Sequence, residues 1–379
     1  MNRGGIETWL MHILRQNDPE HFQMDFLVHT TQSSDYDGEI LALGSKVIPC
    51  LHSRNPLLYT RNFRQVWHQH GPYHVAHSHL HHYSGYVLRM ARTLGSPIRI
   101  AHSHNDTSRP DGQANLVRKS YHSLMKHMIS QEATLGLACS RNAAAALYGP
   151  QWTADPRWRV LYYGIDTAPF AQLVKPDDLR ASLGIPPNAF VIGHVGRFME
   201  QKNHHFLVEI GAEVIRRRPN TYLLLVGEGV LRPSIQEKVA QLGIAERTIF
   251  AGLRSDVPQL MSGAMDLFLF PSLFEGVPVA LLEAQASGLP CLISDLISDE
   301  VEAVPSLLKR QSIDQPPQVW AATILAMYQS HLPAQTQEND PIQRQSEICI
   351  RQPQALSFMQ KSPFNIQYSL AQLEEVYSG

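Results

Sequence analysis

Two glutamates, Glu275 and Glu283, stand eight residues apart in the string PSLFEGVPVALLEAQASGLP at residues 271–290. The apolar run at 266–270 predicts a buried strand that leads into a tight loop with Glu275, and residues 278–286 predict a helix that carries Glu283. Ligands of open α/β sheets bind beyond the carboxyl ends of the strands, so both carboxylates can face one crevice. Carboxylates accept hydrogen bonds from sugar and ribose hydroxyls, and the free N–H groups at the start of the helix suit a diphosphate.

Chance also produces such a spacing, with Glu275 as a solvated loop residue and Glu283 as a surface helix residue. The surrounding Pro-Ser-x-x-Glu-Gly and Glu-Ala-x-Ala-x-Gly-x-Pro context favours a ligand site instead. In that interpretation the two carboxylates bind and orient the ligand rather than act as a general acid and base.

A second candidate segment is GHVGRFMEQKNH at residues 193–204. The strand predicted at 191–195 ends at Gly196, where a ligand can approach the backbone because glycine has no side chain. Arg197 can hold a phosphate through two hydrogen bonds, and Lys202, near the start of the next helix, adds a mobile positive charge. Fixed cations at this place would stabilise the charge that builds on a departing diphosphate. Taken alone, an arginine and a lysine near a strand end are also ordinary surface residues.

Together the two segments resemble the Glu-x7-Glu and Gly-Arg-x4-Lys patterns of the retaining glycosyltransferase family 4. The resemblance implies the GT-B fold, with two Rossmann-like domains that face each other across a cleft. It also implies a transfer that uses a UDP- or GDP-sugar and needs no metal or other cofactor. The strings are most similar to those of bacterial capsule and exopolysaccharide glycosyltransferases, and further matches are LLLVGEG at 223–229, FAGLRSDVPQLM at 250–261, GGIE at 4–7, HSHND at 102–106 and YGID at 163–166.

The resemblance assigns a role to each matching residue of the rear half. Glu275 would position the hydroxyls of the donor sugar, and Glu283 would bind the ribose. Arg197 and Lys202 would neutralise the departing diphosphate. Further donor contacts are expected at Gly196, Gly227, Glu228, Leu253, Arg254, Gly276 and Val277.

The front half has candidate residues of its own. Gly4 and Gly5 precede a predicted helix whose first N–H groups suit phosphate or an acceptor. The family has a histidine that contacts the donor sugar after the strand at 98–102, and we assign this role to His104, with His102 as the alternative. A run of further histidines suggests zinc, but we expect no metal because spacings of one and two residues would place neighbours on opposite faces of a strand. These histidines are His77, His79, His81 and His82.

Short apolar runs alternate with helical patterns along the chain, which predicts α/β domains with parallel sheets. The stretch 163–187, rich in Pro and Gly, would separate an N-terminal acceptor domain (1–165) from a nucleotide-sugar domain (166–361). A C-terminal helix (362–379) is expected to pack back toward the N-terminal domain. The polar residues 329–354 are predicted to form a loop with at most one weak helix. The family has a strand before the glycine pair, so either the true start lies upstream of Met1 or the N-terminal domain lacks its first strand. Strands are predicted at 25–29, 46–51, 74–77, 98–102, 135–139, 159–163, 189–195, 222–226, 248–250, 266–270 and 290–294.

Charge is distributed unevenly between the two halves. Residues 1–165 carry 16 Lys and Arg against 11 Asp and Glu, a balance of +5, and residues 166–379 carry 16 against 23, a balance of −7, which together give −2. Residues 40–105 contain no acidic residue. The front half therefore suits an anionic partner such as acidic lipid headgroups or a lipid-linked pyrophosphate acceptor, although it could also be a mildly basic domain without such a partner. A third anionic candidate, nucleic acid, is not expected as a partner of this family.

No apolar run approaches the roughly 18 residues that span a bilayer, and the four cysteines lack CxxC spacing, as is typical of reduced thiols. We predict a cytoplasmic enzyme, peripheral on the inner face of the membrane, that transfers sugar to a saccharide or lipid-linked acceptor in surface polysaccharide synthesis. A nucleotide-sugar epimerase and an inactive nucleotide-sugar-binding protein are the alternatives.

Overall fold

The computed structural model describes residues 4–112, 114–172, 175–330 and 341–378, with side chains for all of these except 109–110 and 341–350. The chain forms two compact units. Unit 1 comprises Met1–Gly164 and Ile366–Gly379, and unit 2 comprises Ile165–Asn365. None of the described helices combines the length and hydropathy needed to cross a bilayer.

Unit 1 contains two separate parallel sheets. One is the pair β1-β2, and the other has the order β3-β4-β5-β6. Among the described residues, no strand precedes β1, and β1 and β3 each pair along one edge only. The strands are β1 (Asp25–Val28), β2 (Lys46–Pro49), β3 (Val75–Ser78), β4 (Ile98–Ser103), β5 (Leu135–Ala138) and β6 (Trp158–Val160).

Three helices of unit 1, α3, α6 and α7, begin at a side-chain cap. Asn55 and Asn115 each accept a hydrogen bond from the backbone N–H three residues later, which fixes the starts of α3 and α6. The C-terminal helix joins unit 1 because Ser369 Oγ accepts from Gly164 N at 2.9 Å. The helices are α1 (Gly5–Gln16), α2 (Asp37–Ala42), α3 (Pro56–His70), α4 (Ser84–Thr93), α5 (Ser108–Gly112), α6 (Leu116–Glu132), α7 (Arg141–Tyr148) and the C-terminal helix (Ile366–Ser378).

Unit 2 is built on one parallel sheet with the order β12-β11-β10-β7-β8-β9. Strands β8, β10 and β11 are buried along their whole length, which requires cover on both faces. The strands are β7 (Phe190–Val195), β8 (Thr221–Val226), β9 (Thr248–Gly252), β10 (Leu267–Phe270), β11 (Cys291–Ser294) and β12 (Leu308–Gln311), and the helices are α8 (Pro176–Ser182), α9 (His204–Arg217), α10 (Arg232–Gln241), α11 (Val257–Gln259), α12 (Val279–Ala286), α13 (Pro317–Ser330) and α14 (Pro341–Lys361).

The strand order of unit 2 creates one reversal point. The chain runs from β7 through β8 to β9 in one direction, and β10 then lies on the opposite side of β7. The loops after β7 and β10 therefore leave the sheet in opposite directions and open a crevice at the carboxyl ends of these two strands. Open α/β sheets bind their ligands at this kind of point.

Two sequence predictions need correction. Residues 341–361 form helix α14, although 329–354 were predicted to be mainly loop; residues 331–340 of that stretch lie outside the described residues. Pro353 lies within α14 and misleads a prediction from composition, because proline usually interrupts a helix. The stretch 163–187 also contains a helix, α8, and the edge strand β12 was not predicted.

Candidate functional site

The loops after β7 and β10 are connected at the reversal point by side-chain and backbone hydrogen bonds. Lys202 Nζ donates to Glu275 Oε1 at 2.6 Å, and Gln201 Nε2 donates to Glu275 Oε2 at 3.0 Å. The backbone N–H of Leu273 donates to the carbonyl of Gln201 at 2.9 Å. The side chains of Lys202 and Glu275 are only 16% and 6% exposed. The structure thus brings a sequence-predicted cation and a sequence-predicted carboxylate into one half-buried ion pair.

Glycines let a third loop approach this pair. Gly227 has φ +137°, and a Cβ there would lie 2.2 Å from the carbonyl oxygen of Gly196. A Cβ on Gly229 would lie 2.6 Å from the carbonyl oxygen of Phe198. The loop after β8 can therefore run against the loop after β7 only because both positions are glycine.

Two further charged residues lie near these loops, the exposed Arg197 and the half-buried Glu228. Arg197 is exposed, so its guanidinium can reach an anion in solution. The Glu228 side chain pairs with Arg232 one helical turn later, while its backbone carbonyl accepts from Phe198 N at 2.9 Å. Glu228 therefore helps to hold the loop after β7, in addition to any contact with a ligand.

The segment predicted to hold the base follows β9. Leu253 is 47% exposed, and Arg254 forms a two-bond ion pair with Asp256 at 2.8 and 2.6 Å. Gly276 and Val277, which lead into α12, are both buried. An exposed apolar side chain beside a fixed arginine can pack against a planar ring.

Glu283 lies on the fifth residue of α12 and is half-buried. Burial raises the pKa of its carboxyl group from 4.5 to about 7. Among the described residues, none donates a hydrogen bond to this carboxyl group in the structure. A half-buried carboxyl group without donors is a candidate for binding ligand hydroxyls, which can supply them.

In unit 1, the histidines at the ends of β3 and β4 form a stack. His102 and His104 are 0% and 5% exposed, and burial holds their pKa values well below 6.5, so both are neutral. The ring nitrogens of His104 contact His79 Nδ1, at 2.8 Å, and the Tyr163 hydroxyl. Neither histidine is therefore open to a ligand here, whereas His77 and His79 of the same stack are half-buried.

The spacing argument against a metal was wrong for residues two apart. His77 and His79 have ring centroids only 4.3 Å apart, because alternate residues of a strand share a face. Two groups bring possible ligand atoms within 4.8 Å of one another, namely His77, His79 and His102, and His81, His82 and Asp111. In each group two of the members hydrogen-bond to each other, His77 Nε2 with His102 Nδ1 at 3.0 Å and His82 Nε2 with Asp111 Oδ2 at 3.1 Å.

Gly4 and Gly5 lie at the start of α1, as predicted, and Gly4 is its N-cap residue without a side-chain cap. Further along this helix, Trp9 is fully buried between His102 and Tyr163, with ring centroids 5.5 and 4.9 Å away. Helix α1 is thus anchored on the histidine stack, which places its N-terminus near the ends of β3 and β4.

Both halves of the sequence match models of glycosyltransferase families. Residues 3–169 match Glycosyltransferase Family 4, and residues 189–329 match Glycosyl transferases group 1. A relative from Bacillus subtilis (strain 168), named as the glycosyltransferase EpsF, is 38% identical over 86% of this chain and 84% of its own length. The chain belongs to glycosyltransferase family 4. This enzyme family transfers sugars, and the expectation of a glycosyltransferase is confirmed.

A second relative of this family 4 glycosyltransferase comes from Escherichia coli. It is named UDP-Gal:alpha-D-GlcNAc-diphosphoundecaprenol alpha-1,3-galactosyltransferase and is 29% identical over 59% of this chain and 58% of its own length.

Solved structures show that the enzyme has the GT-B fold. Anabaena HepE, solved in complex with UDP and glucose, superimposes with a TM-score of 0.77 at 20% identity, covering 99% of this chain and 96% of HepE. WaaG, a glycosyltransferase involved in lipopolysaccharide biosynthesis, gives 0.75 at 17% identity, covering 100% of this chain and 97% of WaaG. The predicted fold class is therefore confirmed.

Sequence reasoning missed two residues of these sites. Gln201 holds the second oxygen of Glu275, and no motif in the sequence distinguishes it from a surface glutamine. His79 was considered only as a metal ligand; its position two residues after His77, on a strand beside the one that leads to His104, was the signal that these rings would stack.

Proposed function

We propose that this glycosyltransferase moves a sugar from a UDP-sugar, with retention of configuration, to a saccharide or lipid-linked acceptor. The single observation that carries the proposal is the pairing of Lys202 with Glu275 at the reversal point of the unit 2 sheet. A cation for the diphosphate and a carboxylate for the sugar hydroxyls then stand side by side, as a nucleotide-diphosphate sugar requires.

Each residue has a distinct task in the proposed reaction. The exposed Arg197 binds the diphosphate, while Lys202 exchanges part of its bond to Glu275 for a phosphate oxygen. Both cations stabilise the charge that develops on the leaving UDP, so the transfer is expected to need no metal. Glu283 accepts hydrogen bonds from the ribose, and the backbone at Gly196 and Gly227 allows the diphosphate to approach closely.

The choice of UDP and of a lipid-linked acceptor is supported by the relatives. HepE was solved with UDP-glucose, and the name of the Escherichia coli relative gives it a diphosphoundecaprenol acceptor. Such an acceptor is anchored in a bilayer. We therefore also propose a cytoplasmic enzyme that works on the inner face of the membrane, with the basic front half toward anionic lipid.

The experiment is a transfer assay with a panel of UDP- and GDP-sugars and a diphospholipid-linked acceptor, with and without a chelator. Arg197→Ala should lower transfer by about a hundredfold without changing the melting temperature, because the side chain is exposed. Arg216→Ala, an exposed arginine of unit 2, is the matched control. Equal transfer by both variants would contradict the phosphate role, and an inverted anomer in the product would contradict retention.

A further inference from the structure

Helix α6 (Leu116–Glu132) buries one apolar face inside unit 1. Met125 and Ile129 are 6% and 1% exposed, and they pack against α4. The packing is close, since a Cβ on Gly85 of α4 would lie 2.7 Å from the Met125 carbonyl oxygen. This inner face is the side of α6 that contributes to the core of unit 1.

The same helix has a second apolar face that contributes nothing to the core. Leu116 and Val117 are 82% and 80% exposed, and Tyr121 and Leu124 are 42% and 56% exposed. At about 100° per residue, these four side chains cluster roughly 120° around the helix from the inner face. Single exposed apolar residues are normal, but a cluster on one helix face marks an interaction surface.

The beginning of α3 extends this surface. Leu57 and Leu58 are 83% and 42% exposed. The hydroxyl of Tyr86 donates to the Pro56 carbonyl at 3.0 Å, and its ring lies 5.6 Å from that of Tyr83. His82, the residue before Tyr83, stacks on His122 of α6 with ring centroids 4.1 Å apart. The starts of α3 and α6 are therefore on one side of unit 1.

The charged residues of α3 and of residues 112–131 are all basic. No acidic residue occurs at 112–131 or within α3, whereas Arg118 and Lys119 follow the exposed pair of α6 and Arg61 and Arg64 are exposed on α3. A protein partner with an apolar groove would not require this complete lack of acidic residues. Anionic headgroups at a bilayer surface favour it because they repel acidic side chains, and they would surround apolar side chains that enter the acyl boundary.

We propose that this apolar patch, made of Leu57, Leu58, Leu116, Val117, Tyr121 and Leu124, inserts into the surface of an anionic bilayer and docks the enzyme there. The inference rests on the proposed function, because a lipid-linked acceptor is the reason to be at a bilayer. It goes beyond it by assigning the contact to defined side chains of α3 and α6 rather than to the basic charge of the front half.

The test is flotation of the full-length protein with phosphatidylcholine vesicles that contain a third of phosphatidylglycerol or none. The double variant Leu116→Ser/Val117→Ser should lower the partition coefficient for anionic vesicles at least about tenfold. Val230→Ser removes an equally exposed (84%) apolar side chain from unit 2 and should change nothing. Arg118→Glu/Lys119→Glu should abolish the part of binding that salt weakens, with Lys309→Glu, exposed on unit 2, as its control.

Several outcomes would overturn the docking proposal. One is that the wild type does not bind anionic vesicles, and another is that the Leu116/Val117 and Val230 variants bind them equally. A third is a dimer in vesicle-free solution that the Leu116/Val117 variant abolishes, because the patch would then be an interface between copies of the chain. Calorimetric binding of UDP-glucose separates this proposal from the proposed function: the double variant should bind it like the wild type. Vesicle docking without any UDP-sugar binding would refute the donor site and leave the docking surface standing.

Discussion

Replacing Glu283 with glutamine should stabilise unit 2 at neutral and alkaline pH, although the residue is assigned to the binding site. Its carboxyl group has a pKa of about 7 in the folded protein, against an ordinary value of 4.5. Below pH 4.5 the group is protonated in both states and has no effect on the free energy of unfolding. Between pH 4.5 and 7 the unfolded chain loses its proton while the folded protein retains it, so the wild type loses stability.

The size of this loss follows from the difference in pKa. About 2.5 pH units at 1.36 kcal/mol each give roughly 3 kcal/mol, reached near pH 7 and constant above it. Glutamine carries no charge, so Glu283→Gln should lack this loss. The stability of the variant should match that of the wild type at pH 4.5 and exceed it by about 3 kcal/mol at pH 8.

The two units could unfold separately, so the assay must report on unit 2 alone. Urea-dependent hydrogen exchange of peptides from β8 and β10 gives that free energy at each pH. Glu237→Gln, an exposed glutamate on α10, is the matched control and should follow the wild type. If Glu283→Gln and the wild type showed parallel pH profiles from 4.5 to 8, the buried carboxyl group would not be the cause, and the reasoning would fail.

Three further predictions concern the same site. UDP-glucose should bind up to about tenfold more weakly at pH 6 than at pH 8, because the ribose needs the ionised Glu283 and the diphosphate itself does not titrate near neutrality. Calorimetry should find no such pH dependence in Glu283→Gln. A wild type whose affinity is constant over this range would refute the ribose role. Lys202→Ala should lower the free energy of unfolding, measured by urea melts, by about 3 kcal/mol because it leaves Glu275 without its cation. The double variant Lys202→Ala/Glu275→Gln should recover most of this loss. No recovery would mean that the two residues are not coupled. Gly227→Ala should lower the free energy of unfolding by about 3 kcal/mol. The control Gly243→Ala should lower it by about 1 kcal/mol, because φ is +69° there but nothing lies within 4 Å of the added Cβ. Equal melting temperatures of the two variants would contradict the close approach of Gly227 to Gly196.

The sequence predicted the site best where the signal is local. Gly196, Arg197 and Lys202 follow one strand within a few residues, and Glu275 follows another, so a strand end and a motif were enough to assign them. The ion pair itself was not predicted, because Lys202 and Glu275 are 73 residues apart and nothing in either segment specifies the other. Lys202 was expected to be a mobile cation, whereas its ammonium group is held by Glu275.

The histidines also show the limit of prediction from local sequence. Their positions after β3 and β4 were recognised, but the choice of His104 as the sugar contact assumed that a strand-end histidine points to solvent. In the structure Trp9, from a helix far away in sequence, covers His102, and Tyr163 occupies one nitrogen of His104. Burial by distant segments decides which histidine is accessible, and no local pattern carries that information.

The order of the strands explains why the two motifs belong to one site. In the sequence, β10 simply follows β9, and nothing local says on which side of the sheet it will lie. Had it extended the sheet beyond β9, Glu275 would be three strands away from Lys202, at about 4.8 Å per strand, and no ion pair could form. Its place beside β7 brings the carboxylate against the lysine and opens the crevice between their loops. The spacing of the glutamates indicates a ligand only because of this reversal, so a chain with the same motifs but another strand order would lack the proposed donor site.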